Sequence, residues 1–281
     1  MHPLAMLLAA ARSLAFLTFI ACAIGARGLA LLLSKKARRR AAGARWLQWT
    51  AEGCRRILGL RVSRHGPFPG SGLLVANHLS YLDIVLLAAQ HPCVFVSKSE
   101  VRAWPVFGWC ASLGGTLFID RNRRGDVSAI AGQMRAALAE GLLIVLFPEG
   151  TSSGGASVLP FRSSLLEPAL QLGCPISAAA IGYSLERGSV SGEICYWRDM
   201  TLPGHLFNVF AKPVIHASLR LSPPRLRAGD RKTVARALHA EVTALHSAVH
   251  SAGPVHSAGQ SPPQNIEQAE PVLAGGSPGI C

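Results

Sequence analysis

The stretch "VANHLSYLDIV" at residues 75–85 sets His78 and Asp83 five positions apart, where an apolar strand gives way to a helical pattern. A carboxylate that accepts from one imidazole nitrogen fixes the tautomer and leaves the other nitrogen free to take a proton. An imidazole, with a reference pKa of ~6.5, suits a base that deprotonates an alcohol near neutrality. No protein nucleophile is then needed, because the substrate hydroxyl attacks directly. A structural role competes for the same residues. If the strand ends at Ala76, Ser80 caps a helix beginning at Tyr81, and Asp83 completes a Ser-x-x-Asp capping box.

Two further clusters carry chemistry. "GGTLFIDRNRR" (114–124) ends an apolar run in Arg121, with Arg123 and Arg124 close by. Guanidinium forks suit phosphate or carboxylate. "FPEGTSSGG" (147–155) ends the most apolar run with Glu149 and a glycine-bearing turn, whose backbone N–H groups can face an anion or a polar head group. Taken singly, each reads more readily as a solvated surface loop. Within the second lies "GTSSG" (150–154), the Gly-x-Ser-x-Gly of serine hydrolases. That motif needs strand, tight turn and helix, whereas Pro148 and Glu149 intervene and "GASVLPF" follows, so Ser152 is a poor nucleophile. The ten histidines show no H-E-x-x-H and no metal-ligand spacing, and no metal is expected.

Short apolar runs at 73–76, 94–97, 116–119, 142–147 and 175–183 read as strands, mostly buried on both faces. Residues 80–90, 125–140 and 163–172 read as the helices between them. This alternation predicts an α/β fold with a mostly parallel mixed sheet flanked by helices. Ligands of such sheets bind beyond the carboxyl ends of the strands, where "NHLSYLD", "KSE", "DRNRRGD" and "PEGTSS" should converge. Residues 230–250 space Val234, Leu238, Val242, Leu245 and Val249 as an amphipathic helix with Asp230 as its N-cap. The remainder, 252–281, is rich in Pro, Gly, Ser and Gln and is expected to be disordered.

The net charge of +13 suggests a nucleic-acid binder until it is located. Residues 1–64 hold twelve Lys and Arg against Glu52, while 65–281 hold sixteen against fourteen acids. Phosphate-backbone binding needs a basic face on the folded domain, so no nucleic-acid partner is expected. The basic segment is also apolar: the uncharged run 13–26 and "GLALLL" after Arg27 total roughly 20 residues, enough to span ~30 Å as helix. "KKARRR" (35–40) favours the cytoplasmic side and anionic head groups. In "RWLQWTAEGCRRILGL", Trp46, Trp49, Ile57 and Leu60 form a stripe suited to the membrane interface. Residues 1–64 are therefore expected to be a membrane-anchoring helical segment and 65–251 the catalytic domain. The absence of a basic n-region and of a small-x-small site argues against a cleaved signal peptide. Seven scattered cysteines without C-x-x-C read as free thiols in a reducing compartment.

"NHLSYLD", "GGTLFIDR" and "FPEGTSS", in that order, resemble the three blocks of the glycerolipid acyltransferases typified by 1-acylglycerol-3-phosphate acyltransferase. "KSEVRAWPVFGWCASLGG" (98–115) is similar to that family's lysine-led connector, and the likeness covers about residues 70–185. "VLPFRSSLLEPAL" and "CYWRDMTLPGHLFNVF" look similar to bacterial members, including those that acylate lyso-ornithine lipid. The resemblance implies acyl transfer from acyl-CoA or acyl carrier protein to a lysolipid hydroxyl, with no metal or other cofactor, on the cytoplasmic face of a bacterial inner membrane. It implies His78 as base and Asp83 as its orienter. Asn77, Lys98, Arg121, Glu149, Gly150, Thr151 and Arg162 are implied as substrate-binding residues. Two positions depart from the pattern. Ser152 stands where the third block often has Arg, and Ala178 stands near the place of a usual proline. Lys98, Arg121, Arg123 and Arg162 could supply the missing charge, and lyso-ornithine lipid stays a live alternative acceptor.

Overall fold

The computed structural model describes residues 2–33, 39–120 and 124–251. Arg121, Arg123, most of the basic run at 35–40 and the tail at 252–281 lie outside the described residues. In chain order the elements are α1 (Pro3–Leu33), α2 (Arg39–Ile57), β1 (Leu60–His65), β2 (Gly72–Ala76), α3 (Leu82–Gln90), β3 (Cys93–Lys98), α4 (Phe107–Gly114) and β4 (Leu117–Ile119). They continue as α5 (Arg124–Ala139), β5 (Leu143–Leu146), α6 (Glu167–Gln171), β6 (Ile176–Ser184), α7 (Val190–Glu193), α8 (Leu202–Phe210), β7 (Ile215–Leu221) and α9 (Arg231–Ser251).

The seven strands form one sheet in the order β1-β7-β6-β2-β5-β3-β4. Strands β2 to β6 pair in parallel, β7 runs antiparallel to β6, and β1 runs parallel to β7. This is the expected mostly parallel mixed sheet. Side chains alternate across it. Leu74 and Ala76 join a core with α1, α2, α3 and α8, while Leu73 and Val75 join a second core with α5, α6 and α9. With both faces covered, the central strands read as unbroken apolar runs. Asp230 caps α9 as expected, its Oδ1 accepting from the N–H groups of Lys232 at 2.8 Å and Thr233 at 3.2 Å. The six cysteines among the described residues are free thiols.

Strands β1 and β7 were not expected, and the boundary drawn between residues 64 and 65 falls inside β1. Leu60 is a buried sheet residue rather than part of an interfacial stripe. The stripe divides further: Trp49 is exposed, whereas Trp46 donates from Nε1 to the Ala23 carbonyl at 3.0 Å.

Helix α1 runs unbroken through both apolar segments. Its buried residues, Ala9, Phe16, Ile20, Ala23 and Arg27, recur at the three-, four- and seven-residue spacing of one helix face. That face meets α2, α4 and α8. Arg27 is buried and donates to the Arg39 carbonyl at 3.0 Å, which ties α1 to the start of α2. Arg12 donates to the carbonyls of Phe210, Lys212 and Pro213, where α8 leaves acceptors without helical partners. Leu7, Leu14, Leu17 and Leu32 project outward and are exposed. Among the described residues, α1 is the one helix long and apolar enough to cross a membrane, by length and composition.

Candidate active site

His78 lies just beyond β2, and its neighbour Asn77 ties that strand end to β6. The Asn77 amide donates to the Ile181 carbonyl at 3.0 Å and accepts from the Ile181 N–H at 2.7 Å. Asn77 is buried with both polar ends engaged, so it shapes the site rather than facing a ligand.

His78 Nδ1 lies 2.8 Å from Asp83 Oδ2. The same oxygen accepts from the backbone N–H groups of Leu79 at 2.6 Å and Ser80 at 3.0 Å, and Oδ1 accepts from the Tyr183 hydroxyl at 2.6 Å. A carboxylate held by that many donors acts as acceptor towards the ring. Nδ1 therefore carries the hydrogen, and Nε2 is the basic nitrogen. Asp83 is fully buried, while the His78 side chain is 21% exposed and stacks on Phe147 with ring centroids 4.2 Å apart. The capping interpretation survives in altered form. Ser80 does not cap α3, and its buried hydroxyl has no hydrogen-bond partner. Asp83 instead gathers the free N–H groups ahead of the helix while it orients the ring.

The loop after β5 closes over this pair. Gly150 takes φ +75°, a left-handed turn that a side chain would strain. Glu149 is buried, its oxygens accepting from the His78 N–H at 2.9 Å and the Leu159 N–H at 3.2 Å. Both oxygens are engaged by backbone, so Glu149 joins the loop to the histidine from behind. Desolvation pushes its carboxyl up to about 7, opposed by those two hydrogen bonds and reinforced by Asp83. The folded state therefore binds this proton more tightly than the unfolded chain. Stability from Glu149 is complete below the ordinary carboxylate range and is lost as pH rises through about 7. Thermal melts should show wild type at its greatest advantage over Glu149→Gln near pH ~4, with the gap shrinking by about 3 kcal/mol towards pH ~8.

A cavity of about 340 Å³ adjoins the ring. His78, Lys98, Gly150, Thr151 and Ser152 line its polar end, so the ends of β2, β3 and β5 do converge. Its other walls are apolar: Phe16 and Ile20 of α1, Leu47 and Ala51 of α2, Ile84 and Ala88 of α3, and Val106 and Phe107 beside α4. Lys98 and Thr151 are exposed. Arg162 is exposed, and its N–H donates to the Pro148 carbonyl, but it does not line the cavity. No helix follows Ser152, whose hydroxyl donates to the Tyr196 carbonyl, so the nucleophile-elbow geometry is absent. Among the described residues, no group of three or more His, Cys, Asp and Glu is gathered to hold a metal ion. Sequence reasoning missed Phe147 and Tyr183 as partners of the pair, although both lie in recognised strand runs.

Residues 60–182 match the family model described as Acyltransferase. The chain is 37% identical over 195 residues to a lyso-ornithine lipid O-acyltransferase of Pseudomonas aeruginosa, covering 68% of this chain and 73% of that one. The chain belongs to the acyltransferase family. It is also 37% identical over 153 residues to a 1-acyl-sn-glycerol-3-phosphate acyltransferase of Neisseria gonorrhoeae, which covers 54% of this chain and 60% of the relative's length. The crystal structure of the 1-acyl-sn-glycerophosphate acyltransferase PlsC from Thermotoga maritima superimposes with a TM-score of 0.64 at 19% identity, over 85% of this chain and 95% of that one. It shares the fold.

Proposed function

We propose that the protein is a lysolipid O-acyltransferase. It moves a fatty acyl group from acyl-CoA or acyl carrier protein to the free hydroxyl of 1-acylglycerol-3-phosphate. The observation that carries this reading is the 2.8 Å His78–Asp83 contact on the wall of a mostly apolar cavity. His78 Nε2 takes the acceptor's hydroxyl proton, and the oxygen attacks the thioester carbonyl carbon. The carbon–sulfur bond then breaks and the thiol leaves with the proton from the imidazolium, while Asp83 stabilises the transient positive charge. The apolar walls suit a fatty chain, and the volume lies within the roughly 300–1,000 Å³ of small-ligand sites.

Lys98 and Thr151 line the polar end of the cavity. In this reading they receive the acceptor's head group, with Arg121 and Arg162 as further cations. The exposed leucines of α1 enter one leaflet while its opposite face stays docked on the domain. The basic residues that follow favour the cytoplasmic face of a bacterial inner membrane. Lyso-ornithine lipid is the second acceptor to test, because three lyso-ornithine relatives cover 67–68% of this chain, beyond the 54% covered by the Neisseria protein, although a fourth covers 43%.

The test is release of free thiol from one acyl-CoA by purified protein against a panel of lysolipids. Release that depends on lysophosphatidate supports the main reading, and release that depends on lyso-ornithine lipid moves the acceptor. Thiol release without any alcohol acceptor would overturn acyl transfer. Ser152→Ala is expected to keep at least a third of wild-type turnover, since its hydroxyl is engaged by the Tyr196 carbonyl. Abolition would restore the serine-hydrolase mechanism.

A further inference from the structure

Tyr183 stands at the end of β6, one residue before the strand closes. Alternation along that strand turns Ala179, Ile181 and Tyr183 toward the layer containing α3. The register is held by Asn77, whose amide grips both backbone groups of Ile181 two residues earlier. The phenol thus arrives beneath Asp83, with 2.6 Å between its oxygen and Oδ1. The two carboxylate oxygens have different surroundings: Oδ2 accepts from the His78 ring and two backbone N–H groups, whereas the donor to Oδ1 is Tyr183.

We propose that Tyr183 is a positioning residue for the proton transfer, pinning Oδ1 so that Oδ2 stays on His78 and drawing off part of the charge the ring senses. This deepens the reading of His78 as the base and rests on it. A buried hydrogen bond to an ionised group is stronger than a neutral one, and the low local dielectric amplifies its effect along the chain of three groups. The other titratable groups facing this chain are Tyr81 at the start of α3, Cys195 ahead of α8 and Glu149 after β5. Burial raises Tyr81 well above the usual phenol range and Cys195 to about 12, so both stay neutral through the working range. Of these three, Glu149 alone changes charge near neutrality, and the Glu149→Gln background removes it.

The experiment compares Glu149→Gln alone with Glu149→Gln carrying Tyr183→Phe, so that the phenol is the single difference. It reads kcat, KM for donor and acceptor, the acid limb of the pH–rate profile, and the ring resonance of His78 assigned by its loss in His78→Gln. Without the phenol, Asp83 holds an imidazolium more firmly, so the neutral base is scarcer at a given pH. The expected result is a fall in kcat on the acid limb of roughly threefold or more, with both KM values within about twofold. The acid limb and the ring titration should both move to higher pH by about half a unit or more. 3-Fluorotyrosine at position 183, a stronger donor of nearly the same shape, should move both the opposite way even if the phenylalanine variant folds poorly. A lower melting temperature with unchanged kcat and unmoved titration would make Tyr183 purely structural and overturn the proposal. A shifted ring titration in a protein with no transfer activity would instead sink the acyltransferase reading and leave the coupling standing.

Discussion

Replacing His78 with alanine is expected to lower acyl transfer by roughly two to four orders of magnitude, the usual consequence of losing a general base. The fold should survive. The ring is 21% exposed, and Asp83 keeps three other donors in Leu79, Ser80 and Tyr183. The loss should appear in kcat more than in the apparent affinity for the thioester, because the apolar walls proposed for the chain are untouched. Thiol release, measured beside a circular-dichroism melt, checks both halves. A well-folded variant that keeps a tenth of its turnover would mean that the proton goes elsewhere.

Asp83→Asn should cost nearly as much. An asparagine can turn its oxygen toward the Leu79 N–H, the Ser80 N–H and the His78 ring, and its NH2 group toward the Tyr183 oxygen, which can accept. Each hydrogen bond therefore finds a substitute and the start of α3 is preserved. What disappears is the negative charge that steadies an imidazolium in a buried setting, so turnover is expected to fall by about two to four orders of magnitude. Kinetics and melting temperature together separate the two duties of this carboxylate. If the variant unfolds and its remaining native fraction is fully active, Asp83 serves the helix and not the ring.

Much of this arrangement was legible in the residues. The apolar runs that became β2, β5 and β6, and the first four residues of β3, are buried on both faces, so their composition alone announces a covered parallel sheet. The His78–Asp83 pair could be read because both partners lie within one turn of chain. Strands β1 and β7 escaped for the opposite reason. β7 alternates buried and half-exposed positions, and β1 carries Arg61, Arg64 and His65 at the sheet edge, so neither forms a continuous apolar run. Tyr183 and Phe147 were read as strand residues because their contacts join positions far apart in the chain. Glu149 and Asn77 were expected to face a ligand. Their side chains instead bind backbone across the sheet, a use that residue type cannot distinguish from ligand binding.

Phe16 and Ile20, near the middle of α1, form part of the same hollow that His78 borders. Trimming the leading helix to obtain a more tractable protein would therefore breach the chamber itself, and such a shortened form should be inert even when well folded. Solubilising the intact chain has the converse difficulty. Detergent tails resemble the fatty chain proposed for that chamber, so under this reading the choice of surfactant should act as a competitive inhibitor does.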